Sequence, residues 1–493
     1  MSLMIDLDLN KNENIETGTS NIAEAMAELT SATESFTITC AQLDILTVAT
    51  ENIESGLKLS NAVAAKGDTN TAIVIGVESL KAGLHIIGQE SIVSDIVPAT
   101  EDITVANESI GSILKSMWEK IKELGKKFWE WVKGLLGKLM NAVTSVVGSG
   151  ETPADKLLQK LRKLKNDGKD LPSGAEFKEE EQETLAKDIR IPLAMFNKDF
   201  GAVGIEEYLK EVSGTSSVAK TSTVTFIKSL IKQVEELLNT PIKDLTFDKV
   251  KAIAVKLPDA QTSKNFEVVD GLSKSAAIFL ESKKEKVKSK LGIKKDDENF
   301  VTVMPTGITG SKITTLVIKV DKDGKEAREA LANVTDGSDL ASKLEKAVKG
   351  IKVSEVTFTA EDLGIEVNDV KSNVKPVGLD DGIKIATEAQ KINKDTVKDI
   401  DRAKKDMEDE AKEFEKLVKQ LGKNIKEFDK NGADEKDVEK LGKAVNAIGD
   451  HVMKMQIQYG KAITNGAQSS AENVLKSGVL KIIDKSTEKY TAS

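Results

Sequence analysis

The sequence predicts a mainly α-helical fold: a helical leader and helical bundles, an inserted α+β module at about residues 262–360, and a long C-terminal helical hairpin. Two observations predict the helices: apolar residues recur at every third or fourth position over most of the chain, and aromatic residues make up only 4% of it. A third predicts the module, because β-branched runs of strand length are concentrated there. With 493 residues, the chain is long enough for several domains.

Charge is unevenly distributed along the chain. Residues 1–108 contain 17 Asp or Glu and four Lys, a net charge of −13, whereas the other 385 residues contain 67 basic and 63 acidic groups, a net charge of +4. Apolar residues at helical spacing, such as Ile22, Met26 and Leu29, predict helix in the acidic part. We therefore interpret residues 1–108 as a separate acidic helical leader.

Residues 109–147 form the most distinctive segment, because a long apolar face and all three tryptophans of the chain fall in one predicted helix with many lysines. Three interpretations of this helix stay open: a core-facing surface, a helix that lies on an anionic membrane, or a surface that docks against a partner or DNA phosphates. The last two would use the side chains of Trp118, Trp129, Trp131, Phe128, Lys115, Lys122, Lys126 and Lys133.

The rest of the chain divides into three predicted regions. Residues 151–260 read as a helical bundle interrupted at Gly168, at 172–174 and at Gly214. Residues 261–375 form the α+β module, with Asp321 to Gly324 as a turn and with five predicted strands: FEVVDG (266–271), SAAIFL (275–280), NFVTVM (299–304), ITTLVIKV (313–320) and VSEVTFT (353–359). Residues 376–493 form the helical hairpin, which turns at Asn431-Gly432.

Residues with catalytic or metal-binding chemistry are scarce. The two histidines, His85 and His451, lie in apolar or helical surroundings, and the one cysteine, Cys40, reads as a small core residue. Such a set excludes a disulfide within the chain and a structural zinc site, and no phosphate-binding loop is present. The sequence therefore predicts no enzyme, cofactor or metal, although the α+β module could still contain a cleft.

The sequence predicts neither a classical export signal nor a membrane-spanning helix. The first twenty residues lack a basic start and an apolar core, so they do not read as an export signal. No stretch reaches the roughly 18 uncharged apolar residues of a membrane span. The expectation is a chain without a transmembrane helix.

The order of segments around residues 20–147 is specific. An acidic helical leader is followed by VIGVESLKAGLHIIG, by a joint that contains Pro98, and by ATE and ANES just before SILKSMWEKIKELGKKFWEWVKGLLGK. This order resembles the N-terminal region of internal head proteins, also called inner-body or core proteins, of large tailed bacteriophages.

The resemblance implies that the leader is a delivery propeptide, which a phage maturation protease removes after a small-x-Glu sequence. Three positions match, namely Gly88-Gln89-Glu90 before Ser91, Ala99-Thr100-Glu101 before Asp102, and Ala106-Asn107-Glu108 before Ser109. Cleavage after Glu108 is favoured because it would remove the whole segment of net charge −13 and leave the amphipathic helix at the new N-terminus.

The resemblance further implies a location in the virion, inside the capsid, after synthesis in the host cytoplasm. Its implied partners are other head or core proteins, the maturation protease and packaged DNA through non-specific contacts, and it allows ejection with the DNA. The alternative from the residues is a membrane-active protein, such as a pore former or an injected effector, that acts through the 109–147 helix on a membrane surface.

Overall fold

The computed structural model describes residues 126, 128–130, 132–196, 200–212, 228, 232–240, 244–256, 266–294, 299–428, 436–476 and 478–492. The chain divides into two compact units, one of residues 1–19 and 30–131 and one of residues 20–29 and 132–493. The described residues before 131 belong to the first unit. Everything from residue 132 onward belongs to the second, which is mainly helical, as the sequence predicted.

Short helices form the first part of the second unit. They are α1 (132–149), α2 (Pro153–Asn166), α3 (Glu179–Lys187), α4 (Arg190–Met195), α5 (Ala202–Glu211), α6 (232–238) and α7 (Phe247–Ala254). The start of α2 shows why the chain breaks there: Thr152 Oγ1 accepts a hydrogen bond from the Asp155 N–H at 3.1 Å, and the Asp155 carboxylate accepts one from the Thr152 N–H at 3.1 Å. Gly168, with φ of +63°, ends the helix at a predicted break.

The α+β module contains a four-stranded sheet with strand order β2-β3-β4-β5. Its strands are β2 (Phe266–Val268), β3 (Phe300–Ile308), β4 (Lys312–Val320) and β5 (Ile351–Thr359). β2 is parallel to β3, and the other two pairs are antiparallel. Its helices are α8 (Lys274–Ser282), α9 (Lys284–Lys290), α10 (Lys322–Leu331), α11 (Gly337–Lys349) and α12 (Val367–Val370), the last followed by the 3-10 turn Lys371–Asn373.

Two sequence predictions inside the module are wrong. Residues 275–280 were expected to form a strand but lie in α8, because Ser273 Oγ accepts a hydrogen bond from the Ala276 N–H at 3.1 Å and starts a helix. The expected turn at 321–324 is instead a helix start: Asp321 Oδ1 accepts from the Gly324 N–H at 2.7 Å, and α10 begins at Lys322. In both places a capping side chain overrides the local pattern.

Two long helices, α13 (Leu379–Phe428) and α14 (Lys436–Lys476), form the C-terminal hairpin and confirm its prediction. The expected turn at 431–432 lies outside the described residues. After α14 come α15 (Leu480–Ser486), the 3-10 turn Thr487–Lys489 and β6 (Thr491–Ala492). β6 pairs with β1 (Lys169–Asp170), a two-residue strand inside the region that the sequence predicted to be all helical.

Helix α14 is the centre of the second unit. It contacts α13, α11, α7 and the strands β3, β4 and β5, and nearly every described side chain from 451 to 471 is buried. Met304 of β3 and Leu316 of β4 pack with Ala462 of α14 in one hydrophobic cluster. The sheet therefore lies against the same helix that closes the hairpin.

A glycine allows the closest approach of the sheet to this helix. A Cβ added at Gly307 would overlap Ser469 Oγ and lie 3.0 Å from Ser469 Cβ and 3.2 Å from the Asn465 carbonyl oxygen. Because the carbonyl belongs to the backbone of α14, the space cannot open by a side-chain rotation alone. A side chain at 307 would therefore displace Ser469 and push β3 away from α14.

We predict that Gly307→Ala destabilises the fold, because the added methyl overpacks the contact between β3 and α14. The expected loss is about 1–3 kcal/mol of unfolding free energy, measured by chemical denaturation of the purified chain. Gly134→Ala is the matched control: Gly134 is exposed in α1 with nothing near its missing Cβ, so alanine should raise stability by about 0.5–1 kcal/mol. Equal effects of the two changes would contradict the packing described here.

Candidate functional site

The Trp- and Lys-bearing helix that the sequence singled out is described from residue 126 onward, with gaps at 127 and 131. Its helical structure continues to 149, two residues beyond the predicted end. The apolar face from 132 onward is buried, with exposed fractions of 0–1% for Val132, Leu135, Leu136, Leu139, Val143 and Val146. The core-facing interpretation therefore holds for α1.

The aromatic residues of this helix that the structure describes are also buried. Phe128 is 0% exposed and Trp129 is 2% exposed, and their rings meet edge to face with centroids 5.3 Å apart. Neither side chain is accessible to a bilayer or to a partner in this conformation. Trp118, Trp131, Lys115 and Lys122 lie outside the described residues.

The described lysines lie at the periphery of the helix. Lys126 and Lys138 are exposed, and Lys133 is half-buried. Charged heads in water above a buried apolar face are the arrangement of an ordinary amphipathic helix in a globular protein. In α1 the lysines are accessible, whereas the apolar side chains are not.

The candidate cleavage residues lie outside the described part of the chain. These are Glu90, Ser91, Glu101, Asp102, Glu108 and Ser109. His85 and Cys40 lie there too. His451, in contrast, is described and is 3% exposed in α14.

The described residues contain no group of three or more His, Cys, Asp or Glu side chains placed to hold a metal ion. Within the same ranges, no helix has the length and apolar character needed to cross a membrane.

Sequence analysis missed a set of buried charged groups along the hairpin. Glu410 is 7% exposed, and its Oε1 lies 3.5 Å from Lys228 Nζ, which also lies 5.5 Å from the ring centre of Tyr459. Burial raises the pKa of Glu410. A signal was present, because Glu410 occupies one position of the apolar series Ala403, Met407, Glu410, Phe414 and Leu417.

A second carboxyl lies beside this group. Burial, and then a hydrogen bond and repulsion from Glu413, raise the pKa of Glu235 to about 7. The hydrogen bond from Glu235 lowers the pKa of Glu413, which also pairs with Lys416 at 2.8 Å. The two carboxyl groups therefore titrate as a coupled pair, in which Glu235 holds its proton more tightly than Glu413.

A third carboxyl group, that of the half-buried Glu355, lies between the sheet and α14. Glu355 of β5 accepts a hydrogen bond from Asn465 Nδ2, and the buried Lys461 lies close enough to act on its charge. Burial outweighs both partners and raises the pKa of Glu355 to about 7. The strand alternation of β5 places it on the face toward α14, but sequence alone does not say which face is covered.

Comparison with known proteins assigns no family and no function to the chain. No family model matches the sequence, and no curated protein or solved structure was found that matches it.

We predict that Leu139→Ala lowers the unfolding free energy by about 2–5 kcal/mol, because the side chain is 1% exposed in the core. Lys138→Ala, at the exposed neighbouring position, should change it by less than about 0.5 kcal/mol. Thermal or denaturant unfolding of the two variants gives the comparison. A Leu139→Ala protein as stable as the wild type would show that the face is not part of the core.

We predict that Glu355→Gln flattens the pH dependence of stability. The folded-state pKa of Glu355 is raised from 4.5 to about 7, so the folded state holds the proton more tightly than the unfolded chain does. The carboxyl group therefore contributes stability that is complete below about pH 4.5 and is lost as the pH rises through about 7. At pH 8, the unfolding free energy of the Glu355→Gln variant should exceed that of the wild type by on the order of 1 kcal/mol.

Denaturant unfolding at pH 5, 6, 7 and 8 measures this effect. Glu285→Gln serves as the control, since Glu285 is exposed on α9 and should leave the slope unchanged. If the unfolding free energy of Glu355→Gln depended on pH as strongly as that of the wild type, the raised pKa of Glu355 would be contradicted.

Proposed function

We propose that this chain is a structural protein packaged inside the head of a large tailed bacteriophage, with residues 1–108 as an acidic leader that is removed after assembly. The observation that carries the proposal is the segregation of charge, −13 before residue 109 and +4 after it. An acidic leader repels DNA phosphates and can pair with basic surfaces during assembly. Its removal changes the net charge of the chain from negative to positive before or during packing with DNA.

The described surface of the hairpin supports coexistence with DNA without tight binding. Exposed lysines of α13 pair with acidic side chains three or four residues earlier: Lys391 with Glu388 at 3.4 Å, Lys398 with Asp395 at 2.9 Å, Lys405 with Asp401 at 2.7 Å, and Lys412 with Asp409 at 2.9 Å. Each pair contributes little stability because it is exposed to water. Together the pairs leave this long surface locally neutral, so it neither attracts nor repels a polyanion strongly.

The membrane-active alternative has weaker support. A helix that lies on a membrane must present its apolar face to lipid, and in α1 that face is buried from Val132 to Val146. Phe128 and Trp129 are buried as well. Membrane binding would therefore require this helix to leave its packing. We favour the packaged structural protein.

We predict that the chain isolated from mature particles begins at Ser109. Mass spectrometry of purified virions should detect the N-terminal peptide that starts there and should find residues 1–108 depleted relative to the body. Glu108→Gln in the phage genome should shift or block the cut, because the protease would lose the glutamate that precedes its scissile bond.

Glu54→Gln is the control for this substitution, since no small residue stands two positions before Glu54. It should leave the mature N-terminus unchanged. A peptide that spans residues 105–112 at the abundance of body peptides would overturn cleavage at Glu108. Absence of the protein from particles altogether would overturn the proposed function.

A further inference from the structure

A cleft of about 510 Å³ lies in the second unit, apart from the helix and the buried carboxyl groups described above. It forms where the turn between β3 and β4 meets the start of α4, α5 and the end of α14. Its volume falls within the range of small-molecule sites. Segments far apart in sequence build it, so it exists only in the folded chain.

The floor of the cleft is apolar and held in place by hydrogen bonds. Ile189 and Val479 are each 1% exposed. Tyr208 O–H donates to Asn473 Oδ1 at 3.0 Å, and Asn473 Nδ2 donates to the Ile308 carbonyl oxygen at 2.7 Å. Burial and the nearby Glu472 charge raise the pKa of Tyr208, so the phenol stays neutral. The floor is therefore formed before any ligand arrives.

The turn between the strands is fixed against the opposite wall. The Ile191 N–H donates to the Gly310 carbonyl oxygen at 3.0 Å, and a side chain at Gly310 would overlap the Asp188 carbonyl oxygen. This contact holds the neighbouring Thr309 in the wall of the cleft.

Thr309 supplies a polar group that the protein itself does not satisfy. It is 3% exposed, and its Oγ1 has no hydrogen-bond partner within the described ranges. A buried hydroxyl without a partner costs free energy that a ligand with an acceptor or donor atom can recover. The wall thus offers one hydrogen-bonding position for a ligand.

The mouth of the cleft carries more lysine than acid. Lys187, Lys476 and Lys481 line it against Asp188 and Glu472. Lys481 Nζ lies 2.7 Å from Asp188 Oδ2, and Lys476 Nζ lies 2.7 Å from Glu472 Oε1. Glu472 Oε2 also lies 3.7 Å from Lys312 Nζ, and the third rim lysine, Lys187, lies 3.3 Å from Glu183 Oε1.

These pairs can exchange partners. All three rim lysines are exposed, and ion pairs in water are weak, so an incoming anion can replace a carboxylate at low cost. Lysine binds phosphate or carboxylate as a compact point charge on a flexible stem. Exposed lysines with exchangeable partners above an apolar floor match a ligand with an anionic head and an apolar body.

We propose that this cleft binds a small organic oxyanion, with its charged head at Lys476 and Lys481, its body over Ile189 and Val479, and a hydrogen bond to Thr309. The proposal stands apart from the packaging function, because it depends on the second unit alone. A ligand bound here would join the α+β module to the end of the hairpin.

Titration calorimetry of the full-length chain with phenyl phosphate tests the site, with benzyl alcohol as the neutral analogue of similar shape. Saturable binding of phenyl phosphate is expected, weakened about fivefold to tenfold in Lys481→Gln and in Lys476→Gln. Thr309→Val removes the hydroxyl and keeps the shape, and it should weaken binding by about the same factor.

Lys398→Gln is the matched control, because Lys398 is an exposed, ion-paired lysine on α13 outside the cleft. It should leave the affinity unchanged. The proposal is overturned by absence of saturable binding up to about 10 mM, by equal affinity for benzyl alcohol, or by wild-type affinity in both lysine variants. If Thr309→Val fails to fold, the exposed lysine variants still decide.

Discussion

The packing of α14 against the sheet and against α13 is the contact on which the rest of the described structure depends. α14 is buried on nearly all sides between residues 451 and 471, and the small side chains of Ala462, Ala467 and Ala471 let neighbouring backbones come close. Gly307 of β3 completes this contact. Because both surfaces lack bulk at this point, sliding one along the other would create overlap or voids, and the register of sheet and hairpin is fixed.

Charged groups inside this packing are held by partners but remain costly. Glu355 has Asn465 and Lys461 near it, and Glu410 has Lys228, yet burial still raises the pKa of both carboxyl groups. Apolar residues at these positions would often be more stabilising than buried ionisable ones. We infer that the polar groups restrict how α13, α14 and the sheet can align, since a shifted register would leave each charge without its partner.

Outside this core, the body handles charge in a different way. Exposed lysines on α13 are neutralised within one helical turn, so the long hairpin is a highly charged surface of little net charge. The leader has no such balance, with a net charge of −13 over 108 residues. Under the proposed function, removal of the acidic leader would change the net charge of the chain from −9 to +4.

The sequence by itself determined the mainly helical class, the hairpin and four of the strands. Apolar residues repeat with a period of 3.6 in the helices and of two in the strands, so these elements are encoded locally. The folded structure keeps them because its core uses the same apolar positions. It also marked the 109–147 helix, but periodicity could not choose between a core, a membrane and a partner as the cover of its apolar face. Burial in the tertiary structure chose the core for α1.

Contacts between residues far apart in the sequence were determined only by the tertiary structure. Residues 275–280 read as a strand from sequence, but Ser273 caps a helix there, and only the folded structure brings Glu410 within 3.5 Å of Lys228. The cleft is the clearest case, since Asp188 and Lys481 pair across 293 positions of sequence. Local patterns carry no information on such contacts, because they arise from how whole elements pack and not from the order of neighbouring residues.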